Sequence, residues 1–142
     1  MVLMRSLVKQ AFWRELALGR EAREQADLGS AIAHFERAHI LGQRYLFLHF
    51  YAHWQLLRVA VQRNDVREAL GQLVRLFAVL PGYLSGWVPK GNTGSANVSA
   101  LQPMAVPSDL EPLVATHNIA QAVTIRALLL GGAAIVYWAF AG

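Results

Sequence analysis

The chain has 142 residues, of which 55% are hydrophobic and 15% are charged. This length accommodates one folded domain, and a charged fraction below the roughly 25% usual in soluble proteins excludes a disordered chain and indicates membrane contact. Because the sequence contains no cysteine, disulfides, thiolate metal sites and cysteine nucleophiles are excluded. The net charge of +4 is spread over helical patterns, so we expect no nucleic-acid partner.

Residues 1–80 have apolar side chains at three- and four-residue spacing, which predicts four amphipathic helices. We expect the first three helices at about Leu7–Ala26, Ser30–Leu41 and Tyr45–Gln62. Asp65 followed by Glu68 has the spacing of a capping box, which predicts the start of a fourth helix that ends before Pro81.

The short connections between these helices predict two antiparallel hairpins. Ala31, Phe35 and Ala38 match the small, large, small spacing of the second helix in a tetratricopeptide unit, and the second hairpin repeats this spacing more loosely. Any amphipathic hairpin produces such matches by chance when the matched positions are mostly alanine and leucine. The predicted fold class is therefore all-α, and tetratricopeptide-like hairpins are the more specific hypothesis.

Residues 81–112 differ in composition from the helices and hold all five prolines of the chain. Their Gly-, Asn- and Ser-rich centre predicts a long loop that packs across the helices as an ordered strap. We expect its polar side chains to bond to backbone groups or helix ends; these residues are Asn92, Thr93, Asn97 and Ser99. The chain then divides into a helical domain (1–80), this loop (81–112) and a C-terminal segment (113–142).

The C-terminal segment contains no charged residue after Arg126. A helix that begins near Ile119 is long enough to cross a hydrocarbon core of about 30 Å, with Arg126 reaching the headgroups on one side and Tyr137 and Trp138 at the far interface. The positive charge before this span predicts a tail anchor in the inner membrane, with the helical domain on the cytoplasmic side. The alternative is a cytoplasmic protein whose C-terminal helix packs on the bundle.

Four of the five histidines lie within 20 residues, on the second and third predicted helices and on either side of the short turn that joins them: His34, His39, His49 and His53. His49 and His53 lie one turn apart, and Glu36 and His39 form a Glu-x-x-His pair, so antiparallel packing predicts that these four residues converge. Three imidazoles and a carboxylate suit zinc, nickel, cobalt or iron, with His34 as an outer or partner-chain ligand. The alternative is that the histidines are surface groups or fillers bonded to the backbone or to Glu36.

Several motifs carry a family resemblance: His34-Phe-Glu-Arg-Ala-His39, His49-x-x-x-His53-Trp54, Glu68-x-Leu-Gly-Gln72, Pro103-Met104, Pro107-x-Asp109-Leu110 and, most distinctively, Gly91-Asn-Thr-Gly-Ser-Ala-Asn-Val-Ser99. With these motifs the chain resembles, over about residues 14–113, a bacterial family of small helical proteins known as a domain of unknown function. The resemblance implies that the His and Glu positions and the loop are family features, and it supplies no activity. The apolar C-terminal segment departs from the usual family chain.

These features favour a non-enzymatic accessory or binding protein at the inner membrane. Its expected partners are another protein, or a membrane complex, and membrane lipid, and its expected cofactor is a divalent metal. A second hypothesis is a metal-dependent enzyme with Glu36 as general base. A third is a structural single-pass subunit of a membrane complex without a metal.

Overall fold

The protein is all-α, as predicted from the helical periodicity. A computed structural model describes residues 2–114 and 119–141, and all regular secondary structure within these residues is helical. The helices, in chain order, are α1 (Val2–Glu24), α2 (Leu28–Gly42), α3 (Leu46–Gln62), α4 (Val66–Ser85) and α5 (Ile119–Ala141).

Two helical hairpins, α1–α2 and α3–α4, pack side by side through α2 and α3. The core between them is apolar, and Phe12, Leu16 and Phe35 are among its largest fully buried side chains. Gly19 lets α1 approach α2 closely, because a Cβ atom at this position would lie 2.5 Å from the Phe35 ring. Truncating a buried aromatic such as Phe35 to alanine therefore costs about 3–5 kcal/mol of unfolding free energy.

Aspartate caps set the starts of α2 and α4. The Asp27 carboxylate accepts a hydrogen bond from the backbone N–H of Ser30 at 3.1 Å, and the Asp65 carboxylate accepts one from the backbone N–H of Glu68 at 2.9 Å. The second helix therefore begins at Leu28 rather than at the predicted Ser30, because Asp27 is the residue that satisfies the free amides of the first turn. The first helix also begins earlier than predicted, at Val2.

The fourth helix does not end before Pro81, as the sequence predicts, but continues for another turn to Ser85. A proline removes the hydrogen bond of its own nitrogen and strains the preceding turn, yet the residues after it can remain helical. The helix ends at Gly86, whose φ of +77° is the left-handed conformation that glycine adopts without strain. The extra turn carries Tyr83, whose ring packs against the Arg126 guanidinium of α5.

Residues 86–114 form the strap, which returns from α4 across α2 toward the first hairpin. Leu110 and Val114 are buried in the core, and Asp109 forms an ion pair with Arg37 of α2. Arg37 also donates to Glu15 of α1 at 2.9 Å. The end of the strap is thereby attached to the first hairpin, so both ends of this loop are fixed by helices.

The helix α5 is long and apolar enough to cross a membrane over Val123–Ala141, and none of this span is buried. The Arg126 guanidinium of α5 lies 4.5 Å from the centre of the Tyr83 ring. Tyr137 and Trp138, predicted at the far interface, are exposed. Val123 and Arg126, near the start of the span, are half-buried, and its other residues are exposed.

Candidate metal centre

Three of the predicted ligand residues form a compact cluster between α2, α3 and α4. The ring centres of His39, His49 and His53 lie 4.6–4.9 Å apart, and one nitrogen from each ring lies within 4.8 Å of the other two. His49 and His53 come from successive turns of α3, and His39 comes from the facing side of α2. Nitrogen atoms about 2.0–2.1 Å from a common ion fit this spacing after small side-chain movements.

Hydrogen bonds orient two of the three rings. The Nδ1 atom of His39 lies 2.8 Å from the backbone carbonyl oxygen of Asn92, and Nδ1 of His53 lies 2.7 Å from the side-chain oxygen of Gln72. Both partners are acceptors, so each histidine carries its proton on Nδ1. The Nε2 atoms of His39 and His53 are therefore unprotonated and offer lone pairs to the cluster.

One ring nitrogen of the cluster has no hydrogen-bond partner among the described residues: the Nε2 atom of His39, which is buried. The Nε2 atoms of His49 and His53 lie 3.2 Å apart and share one hydrogen bond. Because His53 carries its proton on Nδ1, its Nε2 accepts this bond and His49 Nε2 donates it. A cation at the centre of the cluster would satisfy all three nitrogens at once.

Burial keeps the three imidazoles neutral. It lowers the pKa of His49 to about 3 and that of His53 to about 4, and the positive charge of Arg75 acts in the same direction. The pKa of His39 is also well below its usual value, because of burial and then the neighbouring histidines. Neutral imidazole is the form that binds metal ions, so the folded protein presents ligands that need no deprotonation at neutral pH.

Side chains on one face of α4 hold the strap against the cluster. Glu68 accepts the backbone N–H of Ala96 with both carboxylate oxygens at 3.0 and 3.1 Å, and Gln72 donates to the carbonyl of Gly94 at 2.9 Å. Arg75 donates to the carbonyls of Ser95 and Val98. These three side chains are spaced by four and three residues, so they lie on one helical face.

Asn92 and Gly94 give the strap its shape beside His39. The Asn92 amide is buried, donates to the carbonyls of Ser99 and Gln102 at 2.8 Å, and accepts the N–H of Gly94 at 3.0 Å. Gly94 has a φ of +83°, and a Cβ atom there would lie 2.8 Å from the His39 ring. The loop can therefore cover the ring only with glycine at this position.

The Thr93 and Ser99 side chains make local bonds, and Asn97 takes part through its backbone. Thr93 Oγ1 accepts the N–H of Ser95 at 3.4 Å, and Ser99 Oγ accepts the N–H of Leu101 at 3.4 Å. Asn97 is exposed and donates its backbone N–H to Ser95 Oγ at 3.3 Å. Asn92 is thus the member of this group that reaches the histidine cluster.

The three histidines open onto a cavity of about 410 Å³. Its remaining walls come mainly from the end of α4 and the strap, and they are largely apolar: Ala78, Val79, Trp87, Val88 and Leu101. Arg75 contributes a cationic group. A metal bound by the histidines would therefore have one side closed by protein and the other side facing this cavity.

Two predicted ligands lie outside the cluster of three histidines. Glu36 does not belong to the group of ligand atoms within 4.8 Å and does not line the cavity. Burial and the nearby Glu68 carboxylate raise the pKa of Glu36. His34 is bonded through Nδ1 to Glu15 of α1 at 2.7 Å, which directs it to the first hairpin.

Sequence reasoning did not identify the groups that orient the histidines. Gln72 and the Asn92 carbonyl reach the site because α4 and the strap fold back onto α2 and α3, and helical periodicity does not reveal that. A signal that could have identified them is the presence of both residues in the family-like motifs, Glu68-x-Leu-Gly-Gln72 and Gly91-Asn-Thr-Gly.

The chain belongs to the family described as protein of unknown function (DUF3703), whose model matches residues 6–114. The match contains all three clustered histidines, Gln72 and the strap, and it ends before α5. No curated protein and no solved structure matches the chain.

Proposed function

We propose that this DUF3703 protein is a non-enzymatic, metal-binding accessory protein, attached to the inner membrane by α5. The observation that carries the proposal is the convergence of three neutral imidazoles, two of them buried, at a point where the Nε2 atom of His39 has no partner among the described residues. A buried polar atom without a partner costs about 1–3 kcal/mol, and an ion bound at His39 Nε2 would remove this cost.

Zinc suits this donor set best. Three neutral imidazoles and one further ligand form the tetrahedral arrangement that zinc adopts, and hydrogen bonds from the outer ring nitrogens to Gln72 and Asn92 are the usual support for zinc-bound histidines. Nickel, cobalt and ferrous iron accept the same ligands. Glu36 stays a predicted additional ligand that would need to move toward the cluster.

Metal analysis of the purified full chain tests this proposal. We expect one equivalent of zinc per chain after dialysis against zinc and then against metal-free buffer. The variants H39A, H49A and H53A should each lose this ion, whereas H34A should keep it, because His34 is bonded to Glu15 outside the cluster. Retention of zinc by all three cluster variants would contradict the proposal.

Membrane attachment is supported by the apolar surface of α5. Leu128, Leu129, Ile135, Trp138 and Phe140 are each more than half exposed. At about 25 cal/mol per Å² of apolar surface, removing several such side chains from water contributes on the order of 10 kcal/mol. A single helix inserted in a bilayer obtains this energy with every backbone group bonded. The basic residue at its start favours the cytoplasmic side for the helical domain.

Binding of a protein partner is supported by an exposed apolar seam on α4. The seam consists of Val66, Leu70, Leu73, Phe77, Leu80 and Leu84. Their spacing of four, three, four, three and four residues is that of a helix that packs against another helix. Phe77, at the centre of this seam, is 83% exposed. We assign the seam to a helix of a partner protein.

The absence of cysteine allows a direct test of the seam. The variant F77C, labelled with a photoreactive maleimide in native membranes, should form a protein adduct of defined mass. R44C, in the exposed turn between α2 and α3, is the matched control and should form none. Labelling of lipid alone from residue 77 would contradict a partner helix.

A further inference from the structure

The cavity beside the three histidines has the size of a small-molecule site. Its volume is about 410 Å³, within the range of about 300–1,000 Å³ typical of ligand pockets. The three histidines would fill three of the four positions of a tetrahedral zinc ion. Because all three line this cavity, the fourth position would be open to a ligand that enters through it.

The charge of the site selects an anionic ligand. The three imidazoles are neutral, and no described residue that lines the cavity is acidic. A divalent ion therefore keeps its full charge, and the Arg75 guanidinium in the cavity wall adds to it. The Glu68 carboxylate acts on Arg75 from outside the cavity, so a ligand that fills the cavity has to balance the charge of the ion itself.

The apolar cavity walls favour a ligand that has an apolar chain. Val79 and Val88 are buried, and the side chains of Trp87 and Leu101 complete the apolar wall. A small inorganic anion or hydroxide would leave this apolar surface in contact with water. A molecule with an apolar chain removes it from water, at about 0.8 kcal/mol per buried CH₂ group.

We infer that the cavity binds an aliphatic monocarboxylate, whose carboxylate completes the coordination of the metal and whose chain lies along the apolar wall. Carboxylate oxygen is an ordinary ligand of zinc at about 2.0–2.2 Å. Binding is reversible coordination, with no bond made or broken in the ligand. This inference rests on the proposed metal site and names the ligand class of that site.

The test uses the full chain in a non-ionic detergent, loaded with Co²⁺ in place of zinc. The visible absorption of Co²⁺ first reports whether the ion is bound by the histidines, and then whether a fourth ligand is exchanged. Octanoate, acetate and octanol are titrated separately. We expect octanoate to change the cobalt spectrum with a Kd at least about tenfold lower than that of acetate, because its chain is buried. Octanol, which lacks the carboxylate, should leave the spectrum unchanged.

A matched pair of tryptophan variants locates the chain of the ligand. Ala78 is exposed at the cavity wall, so A78W should block the cavity and raise the Kd of octanoate to that of acetate. Val74 is exposed one turn away, outside the cavity, so V74W should leave the Kd of octanoate unchanged. Both variants should show the same cobalt spectrum as the unmodified chain before ligand is added.

The outcomes separate the two proposals. If cobalt gives the histidine-bound spectrum but octanoate binds no better than acetate, or A78W binds octanoate as well as V74W does, the carboxylate inference is wrong and the metal site stands. An effect of octanol equal to that of octanoate likewise overturns the inference. If no histidine-bound cobalt spectrum forms, the metal site and the inference fail together.

Discussion

The Nδ1 atom of His39 lies 2.8 Å from the carbonyl oxygen of Asn92, which is 53 residues later in the chain. This hydrogen bond fixes the orientation of the His39 ring, so that Nε2 faces His49 and His53. Asn92 is itself held by Ser99, Gln102 and the N–H of Gly94. The strap therefore orients one proposed metal ligand, His39, through the backbone carbonyl of Asn92.

A substitution at Gly94 tests whether the strap positions His39 for metal binding. In the variant G94A the added Cβ would lie 2.8 Å from the His39 ring, at a φ of +83°. We expect a loss of about 1–3 kcal/mol in unfolding free energy, from the strained backbone and the displaced ring. Zinc affinity should fall about tenfold or more, as for other disturbances of groups that support ligands.

G29A is the matched control for G94A. A Cβ at Gly29, in the first turn of α2, would meet only the Asp27 carboxylate at 3.7 Å, an ordinary contact. Its unfolding free energy and zinc affinity should be unchanged or slightly higher. Urea denaturation and zinc titration of both variants measure these effects. Equal zinc affinities in G94A and G29A would show that the strap does not position His39.

Gln72 is expected to position His53 through a hydrogen bond to Nδ1, at 2.7 Å. The variant Q72L removes this acceptor and should weaken zinc binding by about 10–100-fold. Q72E keeps an acceptor for His53 but loses the amide donor to Glu68 and to the Gly94 carbonyl. It should therefore lower the free energy of unfolding, yet bind zinc more tightly than Q72L, since a carboxylate is a common partner of zinc-bound histidine. Competition with a chelator of known affinity gives these values. A merely structural role would make Q72L and Q72E equally defective.

Acid should destabilise the metal-free protein between about pH 6.5 and pH 4. In the folded state burial lowers the pKa of His49 to about 3 and of His53 to about 4, whereas in the unfolded chain both pKa values are about 6.5. Within this window the unfolded chain binds protons that the folded chain does not. The stability contribution is therefore fully present above the unfolded pKa and is lost as the pH falls toward the folded values, by up to about 1.4 kcal/mol per pH unit for each histidine.

Urea denaturation of the metal-free chain at several pH values measures this slope. The variant H49Q should show a shallower dependence on pH, because one titrating group is removed. A free energy of unfolding that stays constant from pH 6.5 to pH 4 in the unmodified chain would mean that the histidines are not buried as neutral groups.

Removal of α5 should release the helical domain from the membrane. No side chain of the Val123–Ala141 span is buried, and the family match ends at residue 114. A chain without residues 118–142 should therefore be found in the soluble fraction, with an unchanged helical circular dichroism spectrum per residue for α1–α4 and with unchanged zinc content. Unfolding of the two hairpins after this truncation would show that α5 belongs to the core.

The sequence predicts the helices well, because their periodic apolar residues also form the core. It also predicts that His39, His49 and His53 lie close together, since two residues one turn apart on α3 can face one residue near the end of α2. It does not predict that Glu36, one turn away from His39, lies outside the cluster. The position of Glu36 depends on how α4 packs and on where Glu68 lies. The continuation of α4 beyond Pro81 likewise depends on tertiary contacts.

X-ray absorption of the zinc-loaded full chain tests the central claim most directly. The account predicts three imidazole nitrogens at about 2.0–2.1 Å and one further light ligand. H34A should give the same spectrum, since His34 is paired with Glu15, and H53A should lose one imidazole or the ion altogether. A zinc ion surrounded only by oxygen, or one with fewer than three imidazoles in the unmodified chain, would contradict the assignment of His39, His49 and His53 as its ligands.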